Sequence, residues 1–340
     1  MILKVELENQ KFLDIDFDNI AYLTGSNQKN LWKVFRSLYY YFNKRPSLTT
    51  NIYGENNIEV LLNDDKVSTR NTDVYFIHDR ESIYNQMLYK KGSLLYNNLN
   101  ELDSDFEISK IMDSMNDDNL KLEIAVQDYL KQFSNNVQVE FSDFNYMDIL
   151  KNFLTLSYEE DSLTYPLEFM DTESLLDEFL NFVEFGLKNN GSPTWVVLYN
   201  VGNIISGSDE YEFISNLKKL VENYDLKIII INQNLDNVPI DETDIENITI
   251  SANEFHQLLP VDELLRSVKM RYPNELEIET SEFVDSIKRI TSLVGNNKKV
   301  HIAGKDLVLL KVVNEILNYE TSYTLNDHLL TSAETKFLEK

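Results

Sequence analysis

The chain opens on alternation. In MILKVELENQKFLDIDFDN apolar and polar positions trade places with a period of two, as in one or two half-buried strands. Ile20–Leu23 (IAYL) is a short apolar run, Thr24-Gly25-Ser26-Asn27 reads as a turn, and Leu31, Val34, Phe35 and Leu38 then recur at helical spacing to about Phe42. Strands are expected again at Asn57–Leu62 and at Asp73–His78, DVYFIH. From Arg80 to about Asn136 the pattern is helical with acidic faces, through SIYNQMLYKKGSLLYNNL, ISKIMDSM and LKLEIAVQDYLKQF. Val137–Phe141 alternates like a strand, Tyr146–Phe153 reads as a helix, and Leu175–Leu187 is an amphipathic helix. Two runs, Thr194–Tyr199 (TWVVLY) and Lys227–Ile231 (KIIII), are almost wholly apolar, with an amphipathic helix between them at Glu210–Asn223. Such runs joined by a helical crossover predict parallel strands buried on both faces. A short strand is expected at Asn247–Ile250, then helices over 260–271, 280–294, 305–318 and 331–339 and a short strand at Lys299–Ile302. Trp32 and Trp195 are expected in the core.

Strand, glycine turn and helix N-terminus in that order form the scaffold of a phosphate-binding loop, in which backbone N–H groups and the helix dipole face an anion. ATPases of the SMC and ABC kind carry T-G-x-N-G-x-G-K-S at this place. Here the turn reads Thr24-Gly25-Ser26-Asn27-Gln28-Lys29-Asn30, without the later glycines and without the Lys-Ser/Thr pair that holds phosphate and magnesium. The core strand of such an ATPase ends in an Asp for magnesium and a Glu for the attacking water. Trp195–Tyr199 ends instead in Asn200-Val201-Gly202, and Ile228–Ile231 ends in Asn232-Gln233-Asn234, where an ABC-type chain often places a histidine. Three catalytic stations follow in the right order and all three lack their chemistry. Gly25, Asn27 and Asn200 mark a degenerate nucleotide site.

Composition narrows the function classes. With 43% hydrophobic residues, 19 Tyr and 18 Phe, the chain is globular. No apolar run approaches the ~20 residues of a membrane span, and acidic residues near the start argue against a signal peptide. Without cysteine there is no thiol catalysis, disulfide framework or cysteine metal site. A cytoplasmic location is expected. The net charge of −26 is uneven: residues 1–50 carry seven basic and five acidic side chains, residues 101–250 eight and thirty-one, residues 251–300 seven and eight. An acidic whole repels nucleic acid, so an anion-binding face is sought in the first fifty residues.

The apolar strand ending in Asn with its following helix and second apolar strand (Trp195–Asn200, Phe213–Val221, Ile228–Ile231), and Val139-Glu140-Phe141-Ser142-Asp143 followed by MDILKNFLTLSYE, resemble the accessory adaptation protein of type II-A CRISPR systems in its long form. The resemblance covers about residues 1–255. It implies an α/β head related to P-loop/ABC ATPases with a mainly parallel sheet (1–80 and 137–255), an inserted helical leg (81–136) and a C-terminal helical extension (256–340). It also implies a homotetrameric ring that threads double-stranded DNA, binds calcium, does not hydrolyse ATP, and acts in spacer acquisition beside the CRISPR integrase pair and the RNA-guided nuclease.

Under that resemblance Asp128, Glu140 and Asp143 match acidic positions of the family's calcium region, and Glu123 lies close by. Clustered carboxylates suit a hard cation with six to eight oxygen ligands, although Ser142 and Phe144 leave fewer carboxylates than the family pattern, and any one of the four is also what a solvated acidic face looks like. Lys29, Lys33, Arg36, Lys44 and Arg45 follow the empty turn and are candidates for DNA backbone contacts, against the plainer reading of surface solubility; Arg266, Lys269 and Arg271, or Lys298 and Lys299, are alternatives. Four scattered histidines without a cysteine partner do not make a zinc site. The competing class is an enzyme, a metal-dependent nuclease or an atypical ATPase acting on DNA.

Overall fold

The computed structural model describes residues 1–8, 11–43, 58–189, 191–273, 275–296, 302 and 304–321. The chain forms two compact units, residues 1–67 with 228–340, and residues 68–227. The first begins with the antiparallel hairpin β1 (Ile2–Glu6) and β2 (Phe12–Asp16), whose alternation buries Leu3, Val5, Leu13 and Ile15 on one face. β3 (Ile20–Thr24) is buried at every position and leads into α1 (Gln28–Asn43). Leu31, Val34, Phe35, Leu38 and Tyr41 of α1 face inward. β4 (Val60–Leu62) pairs antiparallel with β1, and β5 (Asp65–Lys66) with β4.

The second unit is built on β6 (Asp73–Ile77). Five helices follow, α2 (Arg80–Tyr84), α3 (Leu94–Asn100), α4 (Phe106–Leu130), α5 (Tyr146–Phe153) and, after the hairpin β7 (Ser157–Glu160) and β8 (Leu163–Pro166), α6 (Thr172–Asn189). β9 (Thr194–Tyr199) pairs parallel with β6, Asp73 opposite Thr194 and Ile77 opposite Leu198. α7 (Gly207–Asn223) packs on α6, with the Phe179 and Phe213 rings 6.3 Å apart. The helical stretch expected over 82–99 is broken: after Tyr84 a short 3₁₀ turn and the Lys90-Lys91-Gly92 bend intervene before Ser93 caps α3 through the Tyr96 N–H. Gly92 has a φ of 88°, which a helix does not accommodate.

β10 (Leu226–Ile231) returns to the first unit and lies parallel to β3, Ile228 opposite Ile20 and Ile231 opposite Leu23. β11 (Ile248–Ser251) flanks β3 on its other side, also parallel, and β12 (Phe255–Gln257) closes that edge antiparallel to β11. β3 is therefore central, and its Tyr22 hydroxyl donates to the buried Asp244 carboxylate at 3.0 Å. Three helices end the described chain, α8 (Val261–Arg271), α9 (Thr280–Thr291) and α10 (Gly304–Ile316). Their apolar faces (Leu264 and Val268; Phe283, Ile287 and Ile290; Leu309, Leu310 and Val313) are buried. Arg289 joins α9 to α10 through two hydrogen bonds to Asp306, at 2.8 and 3.3 Å. The expected helix 331–339 lies outside the described residues, as do residues 299–301 of the strand expected at 299–302.

Candidate functional site

The turn after β3 has the position of a phosphate loop and the contacts of a closed joint. Gly25 has a φ of 138°, and a Cβ there would stand 2.6 Å from the Ser251 nitrogen and 2.8 Å from its carbonyl carbon, so only glycine lets the turn lie this close to β11. Because Gln28 and Asn30 replace the flexible glycines, α1 winds from Gln28 onward. The Asn30 and Leu31 N–H groups both donate to the Asn27 carbonyl, at 3.1 and 3.3 Å, and the Asn27 side-chain oxygen also accepts from the Asn30 N–H at 3.2 Å. Amides that would wrap a phosphate are spent on the first helical turn. Leu31 and Trp32 hold the places of Lys and Ser/Thr; Leu31 is buried, whereas Trp32 is 45% exposed. Trp32 is therefore not a core residue, in contrast to the expectation, while Trp195 is. It lies on the polar side of α1, which presents Leu31, Val34, Phe35 and Leu38 to the sheets.

The other two stations are equally altered. β9 ends in Asn200, whose backbone is left-handed (φ 50°) and opens a 3₁₀ turn over Val201–Asn203. A neutral carboxamide supplies no charge for magnesium. The carboxylate at this strand end is Glu210, buried and packed on Gly202 so closely that a Cβ there would be 2.6 Å from one of its oxygens. In the sequence it reads only as the first residue of the amphipathic helix expected at Glu210–Asn223. β10 ends in Asn232, buried, with its N–H donating to the Leu23 carbonyl at 3.0 Å.

The acidic candidates lie on an arm of the second unit. α4 is capped by Asp105, whose carboxylate accepts from the Glu107 and Ile108 N–H groups. Residues 137–145, expected to begin with a strand, form no strand and lie against α4. Side chains on one face of α4 hold them. Asn116 pairs in both directions with the Phe144 backbone, Asn119 donates to the Ser142 carbonyl, Glu123 accepts from the Phe141 N–H at 2.7 Å, and Gln127 bridges Val137 and Val139. The strand expected over 137–141 does not form: the backbone there bonds to polar side chains of a helix face instead of to another strand. Glu123 is thus a rung of this ladder, beside the exposed Glu140 and Asp143, while Asp128 pairs with Lys131 at 3.2 Å on the same helix. Among the described residues, no group of three or more His, Cys, Asp or Glu is arranged to hold a metal ion.

The basic candidates divide. Lys29 is exposed in the first turn of α1. Lys33 and Arg36 both grip Glu8, at 2.7 and 2.6 Å. These hydrogen bonds, Lys33 first and Arg36 next, hold the Glu8 carboxyl below its usual range against the opposing effect of burial. Glu8 and Lys33 line an open cleft of ≈ 780 Å³ with Lys11, Phe12, Asn30 and Glu254. Arg266, Lys269 and Arg271 lie in the second half of α8. Lys44, Arg45, Lys298 and Lys299 lie outside the described residues.

A strand, glycine turn and helix, set beside parallel strands, define a mixed α/β fold with a P-loop-like turn. Stu0660 of Streptococcus thermophilus, a solved structure, shares this fold from end to end, with a TM-score of 0.87 over 99% of this chain and 100% of that one, at 19% sequence identity. A distant likeness is to cbiO1 from Clostridium perfringens, part of the ABC transporter complex cbiONQ, with a TM-score of 0.39, 12% identity, and 80% and 96% of the two chains covered. No protein-family model matches the chain, and no curated protein matches it. Among the described residues no helix is long and apolar enough to cross a membrane.

Proposed function

We propose that this protein is a non-enzymatic component of type II-A CRISPR adaptation. It binds duplex DNA, without sequence preference and by way of free ends, as a calcium-stabilised homotetrameric ring. It acts beside the integrase pair and the RNA-guided nuclease in spacer acquisition. The observation that supports assembly is the arm. α4 spans twenty-five residues, and Asn119 is its one buried residue. Phe106, Ile111, Leu120, Leu122, Ile124 and Tyr129 on α4 are each more than half exposed, as are Phe133 and Phe153 beyond it. Exposed apolar surface on this scale marks an interface, and a second copy of the chain is the occupant the reading assigns to it. The closed turn and the neutral Asn200 support the absence of nucleotide turnover.

DNA binding by a chain of net charge −26 requires cations gathered from several copies around one duplex. Lys29, Lys33, Arg36, Lys44 and Arg45 are the assigned contacts. The test combines mass measurement in solution with a gel shift in which linear and relaxed closed-circular forms of one DNA compete. A tetramer that prefers the linear form, with log affinity falling by about 0.9 per neutralised phosphate per decade of salt, is the expected result. A monomer at micromolar concentration, or equal competition by the two forms, refutes the ring. Nicking of the circle in magnesium or manganese, or phosphate release from ATP, makes the protein an enzyme instead.

A further inference from the structure

The turn after β3 is held by partners from much later in the chain. Ser26 Oγ donates to the Val294 carbonyl at 2.7 Å, just past the C-terminus of α9. The Asn27 N–H donates to the Ser251 carbonyl at 3.0 Å, and Asn27 Nδ2 to the Ala252 carbonyl at 2.8 Å. Ser251 Oγ answers by donating to the Asn27 carbonyl at 3.2 Å. Two glycines face the 251–252 segment. Gly25 is set against Ser251, and a Cβ on Gly295 (φ 72°) would meet the Ala252 Cβ at 2.6 Å. The Gly295 N–H donates in turn to Oδ1 of the fully buried Asn314 of α10 at 2.7 Å.

We propose that residues 24–27 are a clasp: donors that would meet a phosphate hold the backbone at Ser251–Ala252 and Val294 instead, and so lock the C-terminal helices α9 and α10 to the N-terminus of α1. Carbonyl oxygens carry partial negative charge and satisfy the same donors as an anion. The Val294 carbonyl just past the end of α9 also brings the negative end of one helix to the positive end of another. The position is thereby closed to phosphate by the protein's own main chain.

The test is Asn27→Asp, which keeps the side-chain oxygen that caps α1 but turns the donor facing Ala252 into a second acceptor. Amide hydrogen exchange is read by residue. The clasp predicts exchange at 293–295 and in α9 and α10 faster by at least about tenfold, the scale of one hydrogen bond lost, with α1 amides unchanged. Wild-type exchange in α9 and α10, or acceleration in α1 of equal size, overturns it, because Asn27 is then a helix cap and nothing more. If Asn27→Asp fails to fold, Ser26→Ala decides. It removes the bond to Val294 alone, so exchange at 293–295 must rise in that variant, and unchanged exchange there overturns the clasp.

Discussion

Replacing Gly25 by alanine tests the closeness of the turn to β11 directly. The added methyl would lie 2.6 and 2.8 Å from the Ser251 nitrogen and carbonyl carbon, where ordinary contact begins near 3.4 Å. The Ser251 carbonyl oxygen would be nearer still, so the turn must retreat from Ser251 by roughly 1 Å, and every atom it meets there is backbone. That retreat breaks the Asn27 N–H bond to the Ser251 carbonyl and the Ser251 Oγ bond to the Asn27 carbonyl, each a net contribution of about 1 kcal/mol. A φ of 138° adds backbone strain of about 1–3 kcal/mol for any residue with a Cβ. The sum is roughly 3–5 kcal/mol. At about 2–4 °C per kcal/mol for a unit of this size, melting of the first unit falls by roughly 6–20 °C. Gly92→Ala is the control, with a φ of 88° and nothing within 4 Å of the added carbon, so it carries strain alone and shows a smaller shift. Differential scanning calorimetry reads both variants. Equal shifts, or a fall of under about 3 °C in Gly25→Ala, refute the close contact and with it the closed turn.

Tyr22→Phe removes the hydroxyl that donates to buried Asp244, whose other oxygen accepts from the Asp241 N–H; a loss of about 1–3 kcal/mol is expected in urea unfolding, and an unchanged midpoint contradicts the buried pairing. Glu8→Gln addresses pH. The lowered carboxyl means the folded chain binds fewer protons than the unfolded one, so this group adds stability above the ordinary glutamate value of 4.5 and loses it as pH falls through the lowered value. The variant should flatten the acid limb of the stability curve, and an acid limb identical to wild type rejects the Lys33–Glu8–Arg36 triad. Calcium should raise the melting temperature at fixed ionic strength, and Glu140→Ala with Asp143→Ala should abolish the rise; coincident curves in calcium and chelator remove the cation from the account.

The alternation of β1 and β2 and the apolar runs of β9 and β10 were legible because burial on one face or on both leaves a periodic trace. Gly25 was legible as a turn for the same local reason. The filling of that turn was not, since Ser251 and Val294 stand more than two hundred residues away, and nothing local in SAN or LVG announces a carbonyl aimed at Asn27. The arm was misjudged in a different way. Asn116, Asn119, Glu123 and Gln127 look like a solvated helix face, and their backbone partners become apparent only when residues 137–145 are placed. Lys33 and Arg36 read as free cations because Glu8 precedes them by two strands, β2 and β3.

The central place of β3 also sets a timetable for synthesis. Its hydrogen-bonding partners, β10 and β11, come more than two hundred residues later, with Ile20 opposite Ile228 and Thr24 opposite Ile250. A ribosome adding about 5–20 residues per second takes roughly 10–40 s to cover that separation. Throughout that interval an apolar strand with both edges unpaired has emerged and has no mate. The rungs of the arm, in contrast, join residues 10 to 28 positions apart and close as soon as residue 145 is made. The arm therefore closes while the unit that encloses it in sequence waits, and chaperone demand falls on the first residues of the nascent chain.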